Sequence, residues 1–146
     1  MVCSRQKNKE PRATWWVYKS YADMTGRLVR VTPSATVEAL GSLDESKASA
    51  LLLLGRQGGK TGSVTLRVEH VSSALSAGPD DKVKVVVEHL PDRGWLALPE
   101  PLLVSETLME PVSGNLVVQI DAFPPGDAYV VRLSAVKARP QPISLH

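Results

Sequence analysis

Cysteine is nearly missing from this chain: Cys3 is the only one in 146 residues. That rules out an internal disulfide and a cysteine-based zinc cluster. Long apolar runs are missing too. The longest, Ala50 to Leu54, falls far short of the roughly 20 residues a membrane-spanning helix needs. The N-terminus carries basic residues with no apolar stretch behind them, so no signal peptide is visible and the chain reads as soluble. Whether a parent protein is secreted or cytoplasmic stays open. A formal net charge of +2 is too small to argue for nucleic acid, and Arg5, Lys7, Lys9 and Arg12 read as a solvated leader. No serine, histidine and acid group together by spacing, and the acidic pairs Asp44-Glu45 and Asp80-Asp81 sit in turn-like surroundings.

What the chain does have is strand periodicity. Hydrophobic residues make up 43% and charged ones 22%, which is ordinary globular usage and predicts one core. Val64, Leu66 and Val68 alternate with Thr65, Arg67 and Glu69, and Val83, Val85 and Val87 repeat the pattern opposite Lys84 and Glu88. Period two marks half-buried strands. The turn-forming residues 76–81 between them predict that the two runs pair as a hairpin at the middle of a sheet.

Further strands are expected at 28–31, 36–43, 48–54, 102–109, 116–123 and from Tyr129 to Ala135, with Tyr129, Val131, Leu133 and Ala135 facing inward. The continuously apolar 48–54 suits a strand buried on both faces. The proline-rich stretch 90–101 predicts a crossing from one sheet to the other. About eight short strands with turn signals between them predict an all-β, two-sheet antiparallel β-sandwich of immunoglobulin-like type, preceded by one α-helix.

The helix is read at 14–26, with Thr14 as N-cap and Gly26 just past its end. It holds Trp15, Trp16, Tyr18 and Tyr21, two of the three tryptophans and two of the three tyrosines, together with Met24. So wide an aromatic surface predicts packing on both sides of the helix. The divisions that follow are a polar leader or linker at 1–13, the amphipathic aromatic helix at 14–26, the sandwich at 27–136 and a flexible tail at 137–146.

Three stretches tempt a chemical reading. Residues 55–61 end in Gly-Lys-Thr, but the leading glycine is one residue too close for a phosphate-binding loop. A strand also follows where phosphate cradling needs a helix N-terminus. The expectation is a glycine-rich hairpin loop. His70 and His89 end the two alternating runs, each after a glutamate, where a hairpin would bring them close; no third and fourth ligand stands at a motif spacing, so a polar rim is expected and no metal site. Trp95 stands alone in a polar, proline-rich loop. Its ring either caps the sandwich edge or stacks on a sugar. No catalytic residue and no cofactor are expected.

The string Trp16-Val17-Tyr18-Lys19-Ser20-Tyr21-Ala22-Asp23-Met24-Thr25-Gly26 fits a W-x-Y-K/R-x-Y-A-x-M-T/S-G pattern. It resembles the helix that closes the catalytic barrel in bacterial clan-A retaining glycoside hydrolases similar to the family thirty-nine β-xylosidases. The stretches 50–56, 83–92 and 127–133 are similar to the accessory sandwich of those enzymes, and the likeness runs over about residues 13 to 136. The resemblance implies a non-catalytic C-terminal accessory domain that supports a (β/α)8 barrel absent from this chain. The family's catalytic glutamates lie upstream of this helix, so none carries over. It also implies partners: the missing barrel, or self-association through Trp15, Trp16, Tyr18, Tyr21 and Met24 as a domain interface. Two other readings stand beside it, a module binding β-linked glycan through Trp95 and an immunoglobulin-like domain with a protein partner.

Overall fold

Val83, Val85 and Val87 on one strand, and Val118 and Ile120 on another, are buried at every second position. The side-chain alternation of an extended backbone makes two such rows into the two walls of a core. The computed structural model describes residues 12–136, apart from 33, 35, 57–60, 76, 78–80 and 95. In chain order the elements are α1 (Ala13–Ala22), β1 (Arg27–Val29), β2 (Val37–Asp44), β3 (Ser49–Arg56) and β4 (Gly62–Val68). Then come α2 (Val71–Ala74), β5 (Lys82–Leu90), β6 (Leu102–Met109), β7 (Leu116–Phe123) and β8 (Ala128–Val136). The eight described strands form a six-stranded sheet in the order β1-β2-β3-β8-β5-β6 and a two-stranded sheet β4-β7, every pair antiparallel. The architecture is the expected β-sandwich with an N-terminal helix.

The small sheet covers the inner face of the large one, and the main core lies between them. Leu52 and Leu54 of β3, Tyr129, Val131 and Leu133 of β8 and the β5 valines meet Leu116, Val118, Ile120 and Phe123 of β7. Val71 and Leu75, in and just after α2, plug one end of this core. Gly41 shows how close β2 comes to its neighbours. A Cβ there would stand 2.7 Å from Val29 Cγ2 and 2.8 Å from Leu52 Cδ2. Arg56, at the end of β3, ties the sheets together by donating to the carbonyls of Gly62 and Phe123, each at 3.1 Å.

On the outer face of the large sheet, β3, β8 and β5 carry an apolar patch of Leu51, Val130, Ala128 and Leu90, and α1 lies over it. This is why β3 reads as a continuous apolar run: it is covered by the small sheet on one side and the helix on the other.

Three expectations about connection are overturned. The runs 64–68 and 83–87 are not a hairpin: β4 pairs with β7, β5 lies between β8 and β6, and α2 interrupts the link. Their apolar sides face each other across the core from opposite sheets, an arrangement that shows the same alternation as a hairpin does. The stretch 90–101 does not change sheets either. β5 and β6 are neighbours in the large sheet, and the long excursion between them tucks Leu98 under α1. Residues 57–60 of the glycine-rich loop lie outside the described residues, but β3 and β4 on either side of it belong to different sheets, so it closes no hairpin.

Candidate interaction face

α1 starts at Ala13, after an Arg12 N-cap that makes no side-chain capping bond; Thr14 lies inside the helix. Its last residue is Ala22. Gly26 serves the entry to β1, with φ +80°, where a Cβ would run into the Leu43 carbonyl oxygen. Only glycine suits both the conformation and the space.

The helix sits on the sheet through Ala13, Trp16 and Val17, with the buried Ser20 on the same side, and Met24, just past its end, packs on the same cluster. Trp16 fixes it: the indole Nε1 donates to the Leu98 carbonyl at 2.6 Å, joining α1 to the loop before β6. At its C-terminal end Lys19 pairs with Asp23 at 3.0 Å across one helical turn. A residue read as an interface candidate is therefore, in the case of Trp16 and Met24, engaged within the chain.

The other aromatics point away. Tyr18 is 71% exposed, Tyr21 57% and Trp15 49%, the last standing edge-on to Trp16 with ring centroids 4.7 Å apart. These three large rings stand exposed on the side of the helix that faces away from the sheet. A cavity of about 290 Å³ opens beside it, where Tyr18, Thr14 and Val17 face Leu90, Asp92 and Ala128.

Beyond the C-terminal end of α1 the outer face turns polar. A shallow cavity of about 340 Å³ is walled by Asp23, Thr25, Asp44, Lys84 and Arg132, with the buried Ser42 also lining it. Its charges are already engaged: Arg132 donates to Glu88 at 2.9 Å, and Lys84 meets Glu106 at 2.7 Å. Asp44 accepts from Ser46, Thr25 and the Lys47 amide, and these bonds, the Ser46 hydroxyl foremost, bring its pKa down to about 2.

At one end of the sheet, His89 Nε2 and Asp127 Oδ2 stand 2.7 Å apart, and the other oxygen of Asp127 accepts from the Asp92 amide at 2.8 Å. The His89 ring stacks on Tyr129 at 4.5 Å, and Tyr129 donates to the Ala122 carbonyl at 2.7 Å. Burial, helped by the Asp127 charge, pushes the Tyr129 phenol above its usual pKa. The sequence reading missed this cluster because its members lie in separate elements; the nearest signal was an acid following Pro-Pro-Gly in a turn.

The two histidines read as neighbours do not end paired strands. His70 sits after β4 in a left-handed conformation, its amide held by the Asn115 side chain, while His89 is on β5. Among the described residues no three His, Cys, Asp or Glu side chains gather as a metal site. Trp95 lies outside the described residues; of its neighbours Leu98 is buried and Leu96 is exposed. Among the described residues no helix is long and apolar enough to cross a membrane.

The described residues thus form a helix-backed antiparallel β-sandwich with exposed aromatic rings on the outer side of its helix. Solved structures that share this fold include the following two. The structure of N2152 from Neocallimastix frontalis matches with a TM-score of 0.75 at 23% identity, over 89% of this chain and 32% of that one. The crystal structure of the GH39 enzyme from Xanthomonas axonopodis pv. citri matches with a TM-score of 0.60 at 13% identity, over 84% of this chain and 30% of that one. The chain thus spans about a third of either solved protein. No family model and no curated protein matches it.

Proposed function

We propose that this chain is a non-catalytic accessory sandwich of a glycoside hydrolase, and that it supports a catalytic (β/α)8 barrel through the outward face of α1. The observation that carries the reading is the split in the aromatic helix. Trp16 is bonded to Leu98 and packed on the sheet, while Trp15, Tyr18 and Tyr21 are held out on a rigid support with no described element over them. The fold shared with a GH39 enzyme, of which this chain matches 30%, supplies the class of neighbour. The role is mechanical: burying rings of this size against a second domain is worth about 1.5–3 kcal/mol for each one fully covered.

The test is reconstitution. A GH39 barrel cut before its own sandwich is mixed with this chain, and with its native sandwich as a control, and complex formation is read by size-exclusion chromatography. Co-elution that is lost on Tyr18→Ser with Tyr21→Ser supports the reading. A barrel that rebinds its native sandwich and ignores this chain counts against it.

A further inference from the structure

The large sheet ends at β6, and among the described residues no strand pairs with its outer side. Strand edges of this kind present unpaired amide and carbonyl groups, and proteins usually blunt them with lysine, proline or brevity. β6 does little of this: it is eight residues long, holds one charge, Glu106, and exposes Leu102, Leu103, Val104 and Leu108 by 39–62%. The opposite edge, β1, has three residues.

We propose that β6 is a self-association edge, pairing antiparallel with β6 of a second copy of this chain to continue the sheet across a two-fold axis. The register of β6 on β5 supplies the argument. Leu108, Glu106 and Leu103 lie opposite Lys84, Val86 and Glu88, while Met109, Thr107, Ser105 and Leu102 lie opposite Val83, Val85, Val87 and His89. The first set is on the outer face and the second on the inner face; Val104 is the extra residue of a bulge.

A two-fold axis normal to the sheet keeps each face on its own side, so residues can oppose one another only within a set. Centring the axis on Glu106 satisfies this along the whole strand. Leu103 then opposes Leu108 of the second copy, Leu102 opposes Met109, Ser105 opposes Thr107, and each pair occurs twice. The bulge of each copy falls symmetrically on either side of the axis. Centring on Ser105 shortens the overlap and sets Glu106 against Leu103. The cost of the preferred register is one Glu106–Glu106 apposition, and the Lys84 amine 2.7 Å from each carboxylate offsets that charge. This association is independent of α1, which lies over β3, β8 and the end of β5.

Sedimentation velocity on the full chain, from low micromolar to near-millimolar concentration, is the test. The expected result is a shift from the 15.8 kDa monomer toward twice that mass, with amide hydrogens of 102–109 gaining exchange protection as concentration rises. Leu103→Lys with Leu108→Lys, both exposed sites, abolishes the shift while circular dichroism stays unchanged; Tyr18→Ser with Tyr21→Ser leaves it in place. A monomer at every concentration, a dimer without new protection in β6, or a dimer lost with the tyrosine pair overturns the proposal.

Discussion

His89 on β5 and Asp127 in the turn just before β8 meet at 2.7 Å, and Asp127 also holds the loop after β5 through the Asp92 amide. Asp127 is 8% exposed and holds two donors at once, His89 Nε2 and the Asp92 amide. Removing it strands both. Asp127→Ala is expected to lower unfolding stability by about 1–3 kcal/mol, the cost of leaving buried polar groups unsatisfied, read as a lower urea midpoint at unchanged slope.

Asp44 sets an acid limit of its own. Its pKa lies at about 2 against an ordinary 3.8, so the fold favours the ionised form. The stability it contributes is present above 3.8 and is lost as the pH falls through about 2. Carboxyl NMR should show Asp44 titrating near 2, and Ser46→Ala, which removes the leading cause, should move that midpoint upward.

Gly41 tests the packing of β2. A methyl group there meets the side chains of Val29 and Leu52 at 2.7 and 2.8 Å. Gly41→Ala is expected to cost about 1–3 kcal/mol through overpacking, measured by thermal or urea unfolding. Gly55→Ala, on the same sheet with open space around the new Cβ, is the control and should fall within about 0.5 kcal/mol of the parent.

The two roles within α1 separate by substitution. Trp16→Phe removes the bond to Leu98 and should destabilise the chain by about 0.5–1.5 kcal/mol. Tyr18→Ser, at a side chain 71% exposed, should leave stability within about 0.5 kcal/mol. Equal losses from the two would mean that both rings serve the fold and that the outward face is no separate surface.

The helix shows how far local pattern reaches. Its existence and its aromatic load are plain in residues 15–24, yet which rings face inward is not. The inward stripe runs through Ala13, Trp16, Val17 and Ser20 and is continued past the helix by Met24, and the serine within it weakens the periodic signal. Aromatics on both sides of that stripe made either face a reasonable inner one. Trp16 was decided by Leu98, a residue 82 positions away whose carbonyl accepts the indole proton.

The sequence by itself determined the strands, their inward faces and the class of fold, because side-chain alternation is a property of each segment alone. Tyr129, Val131, Leu133 and Ala135 face the core as the pattern required. Only the tertiary structure decided who pairs with whom. Val64–Val68 and Val83–Val87 carry the same alternation whether they are hydrogen-bonded neighbours or opposite walls of a core. The choice was made by contacts between distant segments: β7 against β4, and β8 between β3 and β5. Pairing and clustering are long-range, so His89 and Asp127, 38 residues apart, became partners only when the sheet was closed.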